Sequence, residues 1–312
     1  MLSHDNCLQP TGRGILVSHP NIHWKKAMEK ALMFYYSKSN NTKKIARFIQ
    51  NILEERGWGV TSRNLLSKRE IGDVSGVNLV ILGVPVHYWD IPGAALEAIR
   101  DLPIFKQAYG FVFSTFGKCV CNRVPYDLAT ELSKKGATVI GGAQIVMPNS
   151  TPINDGTMIG DIETSYGKGE VTQVNLNKIK KAFNFIASRI ERDTVKEFDT
   201  RTLKRLHTRN VFGFVASSVL TTKKRIDSMP PVAYKADLCQ HCKRCIKSCD
   251  YQAIHFSAEN RVLINQENCM RCYACINACR SNVLFSDWEK IRSSTDFVHK
   301  LSKNTETKIL YV

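Results

Sequence analysis

The sequence predicts an α/β fold, a doubly wound five-stranded parallel sheet, followed by a small α+β domain organised around cysteines. From Ala31 to about Asp193, short apolar runs alternate with amphipathic helical segments, the pattern of a parallel sheet covered on both faces. Near the C-terminus, the run Cys239-x2-Cys242-x2-Cys245-x3-Cys249 recurs thirty residues later as Cys269-x2-Cys272-x2-Cys275-x3-Cys279. A length of 312 residues favours two domains over one.

The first strand is the apolar run Ala31–Tyr36, and Thr42–Gly57 follows as a helix with Ile45, Phe48, Ile49, Ile52 and Leu53 on one face. Gly57 marks its stop. Val60–Leu66 and Val77–Gly83 read as the next strands, Ile91–Asp101 as a helix and Gly110–Ser114 as a strand. Helix Pro125–Lys135 opens on a proline, which suits a first helical position. Strand Thr138–Val146 and a helix from about Asn177 to Asp193 complete the alternation. A ligand of such a sheet sits beyond the carboxyl ends of strands one and three.

The cysteine runs have the ligand spacing of a bacterial two-cluster ferredoxin, in which each run gives three thiolates to one 4Fe–4S cluster and its fourth to the other. Cys239, Cys242, Cys245 and Cys279 then hold one cluster, and Cys269, Cys272, Cys275 and Cys249 the second. The duplication extends past the cysteines, from Asp237-Leu238 against Glu267-Asn268 to Ala253-Ile254-His255 against Val283-Leu284-Phe285. Paired zinc knuckles are the alternative, but each half here carries four cysteines rather than two. Asp250 and Arg280 stand where the ferredoxin pattern has proline. His241, Lys243, Arg244, Lys247, Met270 and Arg271 lie between the cysteines. Cationic neighbours raise a cluster's potential if they face it and do little if they face solvent.

Three loops at the sheet's carboxyl edge point to a flavin. Ser37-Lys38-Ser39-Asn40-Asn41-Thr42 precedes a helix and resembles the flavodoxin phosphate loop, with Asn40 where glycine is usual. Such a loop offers a phosphate backbone N–H groups and hydroxyls, although an ordinary cap by Asn41 or Thr42 has the same look. Pro85-Val86-His87-Tyr88-Trp89 and Thr115-Phe116-Gly117, with Lys118 after it, supply flat side chains and N–H groups for an FMN ring. There is no GxxxxGK[ST] or GxGxxG, which weakens a case for nucleoside triphosphate or NAD. No residue stands out as an acid/base catalyst, and His87 reads as a binding or packing residue.

Net charge is +16. Between Lys178 and Lys235, 14 Lys and Arg stand against 5 Asp and Glu, more than half of the excess. Such a stripe is either a solvated face or a surface for an acidic redox protein, an anionic lipid or nucleic acid. No aromatic-and-basic module supports nucleic acid. No apolar run is long enough to span a membrane, the longest being Asn210–Leu220. The first residues lack a signal-peptide pattern, and unpaired thiols suit a reducing cytoplasm. Ser150–Thr172 fits either a lid over the flavin or a disordered loop. Cys119-x-Cys121 reads as two reduced thiols or a redox pair, and Cys7 as incidental.

Taken together, Leu32 to Phe285 resembles the iron–sulfur flavoproteins of anaerobic bacteria and archaea, flavodoxin-like domains fused to a two-cluster ferredoxin-like domain. Gly142–Asn149 (GAQIVMPN) resembles that family's Met-Pro-Asn segment. The expected layout is an extension at 1–30, a flavodoxin-like domain at 31–195 and a basic connector at 196–235. A ferredoxin-like domain at 236–286 and a helical tail at 287–312 complete it. The resemblance implies two 4Fe–4S clusters and FMN as an electron-transfer unit in the cytoplasm, working with a redox protein partner. A flavin-dependent reductase of a small molecule, or a ferredoxin with an FMN-less docking domain, are the alternatives.

Overall fold

A computed structural model describes residues 28–67, 70–117, 121–147, 171–206, 221–235, 237–291 and 306–312. The expected segments at 1–27, at 148–170 and at 207–220, together with Cys7, Lys118 and Cys119, lie outside these residues.

Strands β1 (Lys30–Tyr35), β2 (Gly59–Asn64), β3 (Leu79–Pro85), β4 (Tyr109–Phe116) and β5 (Thr138–Val146) run parallel in the order β2-β1-β3-β4-β5. That order is the flavodoxin-like doubly wound topology, with its switch point between β1 and β3. Side chains alternate along each strand, so Leu79 and Ile81 enter one core while Val80 and Leu82 enter the other. Helices α1 (Asn41–Glu55) and α4 (Gln173–Glu191) cover the first face through Ile45, Ile49, Leu53, Phe183 and Ile186. Helices α2 (Gly93–Arg100) and α3 (Val124–Lys134), with a 3-10 turn at Thr200–Leu206, cover the second through Ile99, Leu128, Leu132 and Leu203. Helix α4 starts four residues earlier than its apolar face suggests, because the Thr172 hydroxyl caps it by accepting from Asn175 N–H at 3.3 Å.

The sheet has a sixth strand. Lys308–Tyr311, named β10 in chain order, pairs antiparallel with β5. The tail was expected to contribute a helix; its described end is an edge strand that returns to the first domain. Gly141 admits this approach, since a Cβ there would lie 2.6 Å from the Leu310 carbonyl oxygen.

Helix α5 (Thr222–Asp227) leads into the second domain. There β6 (Ala233–Tyr234) pairs with β9 (Leu284–Phe285), and β7 (Ile254–Phe256) pairs with β8 (Val262–Ile264). Short helices α6 (Arg244–Lys247) and α7 (Ala274–Ala278) each follow the second cysteine of a run. The duplication is written in the backbone. His241, Lys243 and Gln252 have φ of 52°, 58° and 51°, and Arg271, Tyr273 and Asn282, thirty residues on, have 46°, 57° and 52°. Left-handed non-glycine residues are uncommon, and alternating hands turn successive N–H groups into a concavity that suits an anionic iron–sulfur site.

Candidate functional site

The three loops named from sequence meet at the carboxyl edge of β1, β3 and β4 around a cavity of about 520 Å³, within the usual range of cofactor sites. The first loop lines it with Ser37, Lys38, Ser39, Asn41 and Thr42. Asn40 stands apart, as the left-handed residue (φ 65°) that turns the chain into α1. Its side chain makes no capping hydrogen bond, and the Thr42 hydroxyl is spent on Thr115 Oγ1 at 2.8 Å. Neither Asn40 nor Thr42 therefore caps the first turn of α1 with its side chain, and Asn41 lines the cavity at that helix N-terminus, the end of a helix that favours an anion.

Pro85, Val86, His87 and Tyr88 line the second side, and Thr115, Phe116 and Gly117 the third. Trp89 does not line the cavity, because the second loop is a tight turn. His87 and Asp90 exchange backbone hydrogen bonds of 3.0 and 2.9 Å, with Tyr88 and Trp89 at φ 51° and 66°. The turn sends the Trp89 ring outward beneath the Arg225 guanidinium, 5.2 Å from the ring centre.

Two buried polar atoms on the cavity wall, Ser37 Oγ and His87 Nδ1, have no hydrogen-bond partner among the described residues. Buried polar groups are otherwise nearly always paired, so this wall is shaped for a polar ligand. Burial pushes the His87 imidazole down to about 4, with Lys38 adding to the shift and Asp250 opposing it. The ring is neutral at pH 7 and leaves one nitrogen able to accept. Cys121 lies beneath the third loop with its thiol 3.0 Å from Ser114 Oγ. Burial pushes that thiol up to about 12, which keeps it protonated and weakly reactive.

The fourth wall comes from the second domain and was not legible in the sequence. Met229, Ser248, Arg271, Cys272, Tyr273, Ala274, Asn277 and Ala278 close the cavity, and Met147 adds to it from the end of β5. The closure is held by specific bonds. Lys38 Nζ donates to the Ser248 carbonyl at 2.8 Å and pairs with Asp250 Oδ1. Tyr36 Oη donates to Asp250 Oδ2 at 2.8 Å, and burial followed by Asp250 raises that phenol far above its ordinary range. Tyr88 Oη donates to the Arg271 carbonyl at 2.6 Å. Arg271 in turn donates to the carbonyls of Ile226 at 2.9 Å and Asp227 at 2.7 Å, and to that of Met229. Of the cations between the cysteines, Arg271 is thus an internal strut, whereas His241, Lys243 and Lys247 are exposed.

The cysteines fall into two mixed groups. Cys239, Cys242 and Cys245 surround one small hollow with Cys279 from the other run, walled by Phe256, Val262 and Leu284. The thiols that act electrostatically on Cys275 are Cys272, Cys269 and Cys249. Residues 238–283 match the 4Fe–4S dicluster domain family. No curated protein matches the chain. Among solved structures, it is similar to a flavodoxin from the domain Archaea, at 17% identity and a TM-score of 0.36 over 52% of this chain and 99% of the other. It is also similar to rubredoxin oxygen:oxidoreductase from Desulfovibrio gigas, at 19% identity and a TM-score of 0.37 over 54% of this chain and 37% of that one. A flavodoxin from Fusobacterium nucleatum bound to flavin mononucleotide matches at 16% identity and a TM-score of 0.33, over 53% and 99%. The second domain supplies both a cysteine, Cys272, and an aromatic, Tyr273, to the wall of the cavity at the carboxyl edge of the sheet.

The buried imidazole gives a pH test. Its folded value lies below the unfolded 6.5, so the unfolded chain takes the proton first as pH falls. The stability it confers is complete above about pH 6.5 and is lost between there and about pH 4, at no more than about 1.4 kcal/mol per pH unit. Urea unfolding at pH 7 and pH 5 should show wild type losing more stability than His87→Gln. Equal losses in the two proteins would refute the assignment. No helix among the described residues is long and apolar enough to cross a membrane.

Proposed function

We propose that the chain is an electron-transfer protein that relays electrons between two 4Fe–4S clusters and FMN. In this reading, Cys239, Cys242, Cys245 and Cys279 hold one cluster, and Cys249, Cys269, Cys272 and Cys275 the other. The shared cavity carries the proposal: the loops suited to FMN form three walls, and Cys272 with its neighbours forms the fourth. Clusters exchange one electron at a time and a flavin one or two, so the pair couples one-electron to two-electron partners.

The chain's own residues bind and orient. Ser37, Ser39, Asn41 and the N-terminus of α1 receive the FMN phosphate, with Lys38 as the nearby cation. Pro85–Tyr88 and Thr115–Gly117 flank the ring, His87 Nδ1 offers a polar contact, and Trp89 braces its loop from behind. Met229 and Tyr273 line the same cavity from the second domain, which places cluster-side residues against the loops suited to FMN and supports the relay reading.

Anaerobic purification with iron, sulfide and flavin determination tests this. About eight iron and one FMN per chain are expected. Eight iron with no flavin would overturn the relay and leave a ferredoxin with a docking domain. Steady turnover of a small molecule by the reduced protein would favour the reductase.

A further inference from the structure

We propose that electrons reach the protein through the cluster site of Cys239, Cys242, Cys245 and Cys279, at a basic rim that receives an acidic one-electron carrier protein. The inference rests on the relay reading and adds the port, the order of the two clusters and the chemistry of the partner.

The two cysteine groups differ in what surrounds them. Cys272 faces the cavity between the domains, so its cluster is the one beside the flavin site. The other group opens outward: Cys242 is exposed, and Lys243 lines the same hollow as its four thiols. The rim is cationic. Lys243 and Lys247 are exposed within the first cysteine run, and Arg280, directly after Cys279, is exposed as well. No ion pair among the described residues engages any of these three. From 235 to 249 the chain has Lys235, Lys243, Arg244 and Lys247 against Asp237 alone. Leu238, 72% exposed beside Cys239, adds an apolar contact to the charged ring.

A partner that meets this rim must be anionic around its own redox centre, since like charges would repel it. In each encounter the carrier's centre is oxidised by one electron and the outer cluster is reduced by one; no atom moves. The electron then passes to the inner cluster and onward to the flavin. Two encounters supply a two-electron acceptor.

A second basic region separates port from general charge. Lys178, Lys181, Arg205 and Lys308 line a cleft along β10, where no cluster cysteine is found. The test is anaerobic stopped-flow reduction of the full, cofactor-loaded chain by a reduced, small acidic two-iron ferredoxin, across a range of ionic strength. Lys243→Glu with Lys247→Glu should slow the second-order step at least about tenfold at low salt and flatten its salt dependence. Lys178→Glu with Lys181→Glu should change it by less than about twofold. All variants should keep their iron, and dithionite should reduce each as fully as wild type. Equal rates for wild type and the Lys243/Lys247 variant, or equal slowing by the Lys178/Lys181 variant, would overturn the port. If the clusters are reduced at the expected rates but the flavin is not, the port stands and the relay fails.

Discussion

Replacing Asp250 with alanine will slow the proposed electron transfer between the inner cluster and the flavin at least about tenfold while leaving iron and flavin content unchanged. Asp250 follows Cys249 in the chain and accepts from Tyr36 while pairing with Lys38 of the phosphate loop. Its side chain is 16% exposed and that of Lys38 19%, so the pair is neither a screened surface bridge nor a fully buried one. Surface pairs contribute about 0–1 kcal/mol and breaking a buried pair costs about 3–5; a loss of about 2 kcal/mol is expected here, because the Tyr36 hydroxyl is orphaned as well. Such a loss shifts the docked fraction of the dicluster domain. Asp250→Asn, which keeps an acceptor for the Tyr36 hydroxyl but loses the charge, should lose less than alanine, whereas Asp250→Lys should lose more. Flash-reduction kinetics on loaded protein read this directly. Unchanged rates in both Asp250→Ala and Asp250→Lys would show that the domains dock without this contact.

The largest loss of stability is expected from Gly83→Ala. Gly83 lies opposite Phe113 in the β3–β4 register, and a Cβ there would come within 2.1 Å of the Phe113 ring. The ring is fully buried and fills the space the glycine leaves, a pairing that stabilises strand glycines. Overpacking costs about 1–3 kcal/mol and sometimes more; about 3 is expected at this contact. Phe113→Leu alone should also destabilise, by opening space. The double variant should then be more stable than the two losses combined imply, since the residues share one volume. Strict additivity in urea unfolding would disprove the contact. Gly83 is two residues before the flavin-side loop begins at Pro85, so the failure would reach the site as well as the core.

Much of this was visible in the residues, for physical reasons. Continuous apolar strands between one-faced helices define a doubly wound sheet, and its switch point indicates where loops converge. That logic located Ser37–Thr42, Pro85–Tyr88 and Thr115–Gly117 without coordinates. It over-assigned Asn40 and Trp89, because a left-handed turn spends one residue on geometry and flips another outward. Spacing alone indicated that each cysteine group draws on both runs. The fourth wall was hidden because docking between domains leaves no periodic trace: Arg271 looks like any cation between cysteines until its carbonyl partners are seen. Asp250 was the available hint, an acid in a place where the pattern has proline. The sixth strand was hidden because four residues at the chain's end pair with a partner more than 160 positions away, with no turn signal to announce them.

That last strand changes what kind of object the dicluster domain is. The chain leaves the sheet after α4 and comes back to it at β10, so the domain is spliced into the flavodoxin-like unit and anchored at both of its ends. A domain held this way cannot diffuse off when its latch opens; it faces the flavin site at an effective concentration on the order of millimolar. Re-docking is then an intramolecular search over a short distance. The Asp250 variant should accordingly show a slower relay rather than a severed one, and dilution should leave its rate untouched.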